Sequence, residues 1–372
     1  MPDAAPFVDP GGIAAFWRDQ YLRSYVAEGG SAVKWLRGRE GSGKTRLLAE
    51  MRHIAAAEGY LTAGVSAREV LIGRFDELYR AILADLPLEG IARLFAVEAA
   101  RRAGAPDFKP GEDGDLETYL LARGRPQAAI AADLAASLDF LYAERNIASP
   151  VATAMRHLAA ALLRPGADQG LAHQETAATW MAGGKVSATQ RRRAGIGMTI
   201  DRYGAREILR SLLHANRLVG GKGLLVAIDD MEALLGGGGP LRYTPLRRDD
   251  AFEAIRELID EGASMPGLFV LFAGRPEIYT DERAGLGSYA ALAMRVEPEV
   301  ESDRPNPFED LQDLDAVWRR DWPTWRGRIV EAYGASPQAV QEAQGLVAMG
   351  PISPVKLLVE AIRGKESDAR GA

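Results

Sequence analysis

The chain of 372 residues contains no cysteine. Disulfide bonds, thiolate zinc sites, iron–sulfur clusters and cysteine nucleophiles are therefore excluded together. The sequence also lacks an excess of positive charge, because 45 Lys and Arg stand against 51 Asp and Glu and give a net charge of −6. This acidic balance argues against a protein that coats nucleic acid through its overall charge, although it is compatible with a local basic patch that contacts DNA.

Long apolar runs are missing as well. The run at 268–273 spans six residues, whereas crossing a bilayer takes roughly 20. The first residues show neither the cationic start nor the apolar stretch of a signal peptide. We therefore expect a cytoplasmic protein without membrane association. Hydrophobic residues at 47% and charged residues at 26% are typical of a globular chain, here of about two domains.

The most specific motif that is present is a phosphate loop. Residues 38–45 read GREGSGKT, a match to G-x-x-x-x-G-K-[ST]. A strand-like apolar segment precedes the loop at 32–36, and a helical pattern with one apolar face follows it. The backbone N–H groups of such a loop and the positive end of the next helix bind phosphate oxygens. The order of strand, loop and helix favours a nucleotide site over a chance glycine-rich turn.

Within this loop, Lys44 is predicted to reach the β- and γ-phosphates of ATP, which makes it a catalytic residue as well as a binding one. The hydroxyl of Thr45 is predicted to ligate Mg²⁺. The predicted nucleotide-binding segment comprises Gly38, Arg39, Glu40, Gly41, Ser42, Gly43, Lys44, Thr45 and Arg46.

A second motif is a continuous apolar run that ends in acids. Residues 224–228 read LLVAI, and Asp229, Asp230 and Glu232 follow. Such a run is typical of a central parallel strand that is covered on both faces. Asp229 is predicted to hold Mg²⁺, directly or through water. Either Asp230 or Glu232 would polarise the attacking water, and the sequence does not choose between them. The alternative is a buried strand with a solvated acidic end.

A third apolar strand is predicted at 268–273, with Arg275 just beyond it. Arg275 is a candidate sensor of the γ-phosphate, and a structural ion pair is an equally good interpretation. An amphipathic helix is predicted at 250–260, between these strands. The alternation of strands and helices predicts an α/β fold with a parallel sheet flanked by helices, and the phosphate loop makes it the sheet of a P-loop NTPase.

The predicted organisation has three parts. An N-terminal helical segment covers 1–30, an ATPase core covers 31–300 with a helical insertion at about 88–200, and a helical lid covers 301–372. The acidic, proline-punctuated stretch 297–315 is the best linker candidate. Three tryptophans at 318–325 anchor a small helical lobe in our preferred interpretation; stacking on bases is the alternative. A late helix begins at Ser353 and places Lys356 where it can reach the nucleotide.

Two sets of arginines are candidates for other contacts. For local contact with DNA the candidates are Arg191, Arg192, Arg193, Arg202 and Arg206. A solvated face or a set of ion pairs is the more common role of such residues. For an arginine that stabilises charge on the γ-phosphate from a neighbouring subunit, the candidates are Arg247, Arg248 and Arg295.

Taken in order, the motifs resemble those of the ATP-binding proteins of bacterial BREX phage-defence systems, in particular the BrxD-like group, which is related to origin-recognition and AAA+ ATPases. The resemblance is carried by GREGSGKTRLL, LLVAIDDMEAL, PGLFVLFAGRPEIY and the WMAGG element at 180–184. It implies an AAA+ core with a helical lid, ATP and Mg²⁺ as ligands, and either self-association or work beside a helicase or DNA-modifying partner.

The sequence departs from that family pattern at two places. The usual Asp-Glu pair is Asp229-Asp230 here, and the lid has Val355 and Lys356 where an arginine is common. The main hypothesis is an ATPase that drives or gates a DNA-linked assembly. The alternative is a nucleotide-dependent switch or scaffold with little turnover. A small-molecule kinase is weaker, and GTP is not favoured because no Asn-Lys-x-Asp string follows Asp229.

Overall fold

The computed structural model describes residues 7–166, 168–236, 240–296, 306–320 and 322–332, together with Ser353, Val355, Lys356, Leu358 and Val359. In this described part, one parallel sheet has five strands in the order β2-β3-β4-β1-β5. The strands are β1 (Ala32–Arg37), β2 (Leu61–Ser66), β3 (Leu224–Asp229), β4 (Leu268–Gly274) and β5 (Leu311–Asp313).

Helices surround the sheet. The α-helices are α1 (Ile13–Trp17), α2 (Lys44–Ala57), α3 (Phe75–Asp85), α4 (Leu88–Arg102), α5 (Leu116–Leu121), α6 (Gln127–Leu138), α7 (Ser149–Leu163), α8 (Asp168–Met181), α9 (Ala188–Arg193), α10 (Gly204–Leu218), α11 (Pro245–Asp260), α12 (Pro276–Thr280), α13 (Ala290–Val296), α14 (Leu314–Arg320) and α15 (Trp322–Ala332). A π-helical segment covers Arg18–Tyr25, and short 3₁₀ turns cover Pro10–Gly12, Phe140–Ala143, Met231–Leu235, Gly262–Ser264 and Leu286–Ser288.

The sheet is covered on both faces, which explains the continuous apolar runs of its central strands. In β3, Leu224, Val226 and Ile228 pack into the larger apolar cluster. The alternate residues Leu225 and Ala227 pack into a smaller cluster on the other face. This is the two-residue period of a strand. The larger cluster includes residues of α3, α4, α7, α10 and α11, and the smaller one includes residues of α1, α2, α14 and α15.

The parallel pairing brings the carboxyl ends of all the strands to one edge of the sheet. β4 lies between β1 and β3, so the residue after β4 is placed between the phosphate loop and the end of β3. Ligands of open parallel sheets bind in the crevice at this edge. The topology therefore brings residues from four separate parts of the sequence together.

The predicted α/β class, with a parallel P-loop sheet flanked by helices, is confirmed. The segments at 32–36, 224–228 and 268–273 form β1, β3 and β4, each one residue longer than predicted. The stretch 88–200, predicted as a helical insertion, contains α4 to α9. Its WMAGG element contacts α3, because Tyr79 Oη donates to the Met181 carbonyl at 2.6 Å.

The linker prediction is wrong at its C-terminal end. Residues 311–313 form β5, which pairs with β1 from Trp35 to Arg37. Residues 297–305 lie outside the described residues. A three-residue edge strand of sequence LQD carries no periodic pattern, so only the neighbouring strand reveals it. The sheet thus extends beyond residue 300, where we placed the start of the helical lid; that domain boundary stays a prediction.

Candidate nucleotide site

The phosphate loop connects β1 to α2 and is shaped by its glycines. Gly43, the N-cap of α2, has φ of 98°, a value that side-chain-bearing residues rarely adopt. The N–H of Gly38 donates to the carbonyl of Gly274, at the end of β4, at 3.3 Å. Ser42 is fully buried, and its Oγ has no hydrogen-bond partner among the described residues. A buried hydroxyl without a partner fits a loop that completes its hydrogen bonds with a ligand oxygen.

Lys44 begins α2, and its side chain turns back into the loop. Its Nζ donates to the carbonyl oxygens of Gly38 at 2.7 Å and Arg39 at 3.0 Å. Burial lowers the pKa of Lys44, and the negative charges of Glu232 and Asp229 oppose that shift. The loop thus holds a buried cation close to its own backbone, which suits it to bind a strongly anionic ligand.

Thr45 and Asp229 meet although 184 positions separate them. Thr45 Oγ1 donates to Asp229 Oδ2 at 2.5 Å. Burial raises the pKa of Asp229, and the hydrogen bonds from Thr45 and from the Asp230 N–H partly offset the rise. A hydroxyl and a carboxylate are the hard oxygen ligands that Mg²⁺ prefers. The chemistry of this pair therefore fits the predicted metal.

Asp230 has an unusual backbone. It is the one non-glycine residue with positive φ in the described ranges, at 60°. Its N–H donates to Asp229 Oδ1 at 2.8 Å, and Ser66 Oγ donates to Asp230 Oδ2 at 2.7 Å. The other carboxylate oxygen lies 3.1 Å from Arg68 Nε. Aspartate is among the side chains that tolerate this left-handed region, and such conformations cluster at functional sites.

Glu232 shares one partner, Arg68, with Asp230, and it also contacts Arg275. Arg68 Nη2 donates to Glu232 Oε1 at 3.0 Å, so one arginine bridges both candidate acids. The backbone N–H of Arg275 donates to Glu232 Oε2 at 3.3 Å, and Arg275 Nε lies 3.4 Å from Glu232 Oε1. The sequence interpretation missed Ser66 and Arg68. Ser66 ends β2 and Arg68 follows just after it. Polar residues at the end of a strand were the available signal, because strand ends meet at this edge.

Arg275 and Lys356 both reach the phosphate loop through Glu40. Lys356 Nζ donates to Glu40 Oε1 at 2.6 Å, and Arg275 Nη2 lies 3.5 Å from Glu40 Oε2. The Lys356 ammonium lowers the pKa of Glu40. The structure thus places Lys356 beside the loop, as the sequence pattern predicted, and its partner there is a loop carboxylate.

Helix α14 also contacts the loop. Asp315 Oδ2 accepts from the Arg39 N–H at 2.7 Å, and Trp318 Nε1 donates to the Ser42 carbonyl at 2.7 Å. Trp318 and Trp325 are buried and meet edge to face, with ring centroids 5.4 Å apart. Their packing role is confirmed. No sequence signal singled out Asp315, because it lies in the predicted linker.

Three other arginines that the sequence singled out contact an aromatic ring or carboxylates of the protein. Arg46 is exposed and lies over the Phe7 ring, 6.0 Å from its centroid. Arg206 pairs with Glu257 at 2.6 Å and with Glu261 at 3.3 Å, so its charge is balanced within the protein. Arg295 pairs with Asp260 at 2.6 Å.

Two further arginine candidates have partners within the chain. Arg248 pairs with Asp249, and Arg247 donates to the Arg242 carbonyl at 3.0 Å. Arg191, Arg192 and Arg193 form the last turn of α9, and no ion pair joins them to the described residues.

The family model described as "BREX system ATP-binding protein BrxC/D" matches residues 20–93 and 143–317, about two thirds of the chain. The chain belongs to this family. The matched ranges contain the phosphate loop, Asp229 and Arg275, and they leave out 94–142 and Lys356. Membership gives this BREX-family protein an ATP-binding role in phage defence.

Curated proteins and solved structures yield no match to the chain. In the described part of this BREX-family protein, no helix is both long and apolar enough to cross a membrane.

Proposed function

We propose that this BREX-family protein hydrolyses ATP with Mg²⁺ at the edge of the sheet where the phosphate loop meets β3. The observation that carries the proposal is the 2.5 Å contact of Thr45 Oγ1 with Asp229 Oδ2, next to the buried Lys44. A phosphate-loop hydroxyl and a strand-end carboxylate are the metal ligands of P-loop NTPases. Their meeting supports both halves of the predicted site.

The proposed roles follow from position. Lys44 and the N–H groups of the loop bind the β- and γ-phosphates. Mg²⁺, when bound, would neutralise part of the negative charge of the phosphates. Thr45 and Asp229 would hold the metal, Arg275 would contact the γ-phosphate, and Asp230 or Glu232 would orient the attacking water and accept its proton.

We further propose that turnover is slow until a partner acts. Asp230 already accepts from Ser66 and pairs with Arg68, and Glu232 is held by Arg68 and Arg275. Either acid must give up part of these contacts before it can serve a water molecule. A second copy of the chain, or a helicase or DNA-modifying protein, would rearrange the network and stimulate hydrolysis.

The test is phosphate release by the wild type and by Lys44→Ala, each with and without duplex DNA. Because Lys44 stabilises charge that develops on the phosphates, its removal should lower the rate about 100-fold or more. Circular dichroism would confirm that the variant is folded. Equal rates in the two proteins would contradict the proposal. Light scattering with and without ATP would show whether the active form is an oligomer.

The second candidate function is a nucleotide-dependent switch or scaffold that binds ATP and scarcely turns it over. The bridging of both acids by Arg68 favours it. A switch predicts tight ATP binding and the same low turnover in Asp230→Asn, in Glu232→Gln and in the wild type. The ATPase predicts that one of these variants loses most of the activity and keeps ATP affinity. Rapid, DNA-stimulated hydrolysis would exclude the switch.

A further inference from the structure

Glu40 combines three contacts that no other residue of the phosphate loop makes in the described structure. Its carboxylate accepts from Lys356 Nζ at 2.6 Å and lies 3.5 Å from Arg275 Nη2. Its backbone carbonyl accepts from the Ser353 N–H at 2.8 Å. One loop residue therefore holds the tip of β4 through a side chain and the late helical segment through both side chain and backbone.

Gly41, the next residue of the loop, allows the segment around Lys356 to approach closely. Gly41 has φ of 76°, and a Cβ at that position would overlap the Cβ of Lys356. Leu358, two positions after Lys356, is buried in the smaller apolar cluster with Leu47 and Trp318. The segment is thus fixed against the loop by a close backbone approach, an apolar contact and the Glu40 ion pair.

A carboxylate in this place opposes the binding of phosphate on electrostatic grounds. Arg275 is the candidate for contact with the γ-phosphate, and Lys356 is the other cation outside the loop that we expect to reach the nucleotide. Both are paired with Glu40. Glu40 is half exposed, at 50% of its side chain, so the pairing is solvated and can exchange. A phosphate group offers the same two cations a higher negative charge than a carboxylate does.

We propose that Glu40 is a specificity-determining residue whose carboxylate competes with the γ-phosphate of ATP for Lys356 and Arg275. This rests on the proposed binding of ATP at the loop. ATP carries the group that can displace Glu40, and ADP lacks it. Glu40 therefore weakens the affinity for ATP. When no γ-phosphate is present, it holds the segment around Lys356 against the phosphate loop. Lys356 and Arg275 would then contact the γ-phosphate when ATP is bound and Glu40 when ADP is bound.

The test compares Glu40→Gln with the wild type by direct titration with ATP and with ADP in Mg²⁺. Without the competing carboxylate, the Kd for ATP should fall about tenfold, while the Kd for ADP should change less than twofold. Glu58→Gln is the matched control, because Glu58 is also ion-paired, with Arg23 at 2.6 Å, but lies at the far end of α2. It should leave both constants unchanged.

A double-mutant cycle separates competition from simple removal of a negative charge. In the Lys356→Met background, the gain in ATP affinity caused by Glu40→Gln should shrink to less than about threefold, because one contested cation is gone. Removal of charge alone would give the same gain in both backgrounds. Glu40→Asp keeps the charge on a shorter stem and should lie between the wild type and Glu40→Gln.

Hydrogen exchange in peptides that cover 353–359 gives a readout that does not depend on affinity. Without nucleotide, these amides should exchange faster in Glu40→Gln than in the wild type. ATP should restore protection in the variant, and ADP should not. Equal tightening for ATP and ADP, an unchanged ATP Kd, or an unchanged exchange rate would overturn the proposal. A wild type that binds neither nucleotide would contradict the proposed function, whereas the exchange comparison without nucleotide would still test the hold of Glu40.

Discussion

The indole N–H of Trp318 donates a 2.7 Å hydrogen bond to the backbone carbonyl of Ser42, inside the phosphate loop. Trp318 lies on α14, 276 positions further along the chain, and is 4% exposed. One turn earlier on the same helix, Asp315 accepts from the Arg39 N–H. The shape of the loop therefore depends on a helix that follows the last strand, in addition to its own glycines.

Replacing Trp318 with phenylalanine should weaken both the fold and the nucleotide site. The ring would still pack, but the buried Ser42 carbonyl would lose its donor, which costs about 1–3 kcal/mol in the free energy of unfolding. Urea denaturation and ATP titration measure the two effects, and we expect ATP affinity to fall several-fold. Trp322→Phe is the control, because Trp322 is only partly buried and makes no side-chain hydrogen bond with the described residues. Equal losses in the two variants would show that the Trp318 hydrogen bond does not support the phosphate loop.

Thr45 variants should show whether its hydroxyl serves the metal. Thr45→Ala should lose most of the benefit that Mg²⁺ gives to ATP binding, while Thr45→Ser, which keeps the hydroxyl, should retain it. In EDTA the three proteins should bind ATP with similar Kd values, because phosphate contacts to Lys44 and the loop are unchanged. Titrations with and without Mg²⁺ decide the matter. A loss in EDTA as large as the loss in Mg²⁺ would assign Thr45 a structural role instead.

Asp229→Asn should stabilise the protein at neutral pH. Burial raises the pKa of Asp229 in the fold above its usual 3.8, so the native state binds more protons than the unfolded state between those two pKa values. In that window the free energy of unfolding falls as pH rises, and the loss persists at pH 7. We expect the asparagine variant to exceed the wild type in stability at pH 7, with the difference shrinking toward pH 4. Urea unfolding in EDTA across this range tests it.

A control of opposite sign is available in the same experiment. The N–H groups of Arg283 and Ala284 lower the pKa of Asp281. Its contribution to stability is therefore present above the unfolded pKa and lost as pH falls through the folded one. Asp281→Asn should lower stability at pH 7, and this difference should also shrink on acidification. The same sign of change for both variants would contradict the assignment of burial as the dominant effect on Asp229.

Lys34 should be essential for the edge strand. It is 2% exposed, and its Nζ donates to the Phe308 carbonyl at 2.6 Å and to Asp310 at 2.9 Å. Lys34→Met keeps the length of the side chain but leaves these acceptors without their donor, so we expect a loss of about 1–3 kcal/mol in the free energy of unfolding. The exposed Lys222, whose Nζ lies 3.9 Å from Glu58, gives the control Lys222→Met, with an expected loss below about 1 kcal/mol. Comparable losses in the two variants would show that Lys34 does not stabilise the edge strand β5.

Short-range patterns were enough for the frame of this protein. The phosphate loop, its flanking strand and helix, and the apolar runs of β3 and β4 are each readable within about 15 residues, because backbone preference and periodicity act locally. The same patterns predicted that Lys44, Thr45 and Asp229 form one site, and in the structure Thr45, next to Lys44, contacts Asp229; their roles toward a ligand stay a prediction. They also led to the BREX family, since the motifs in their order are a property of the sequence.

The sequence by itself determined the α/β class, the phosphate loop and the acids that follow β3. Only the tertiary structure decided how the acids and cations pair: Arg68 bridges Asp230 and Glu232, and Glu40 holds Lys356 and Arg275. It also decided that 311–313 is a strand and that α14 supports the loop. The physical reason is the same in each case. These contacts join segments far apart in the chain, and they depend on which strands lie side by side in the sheet.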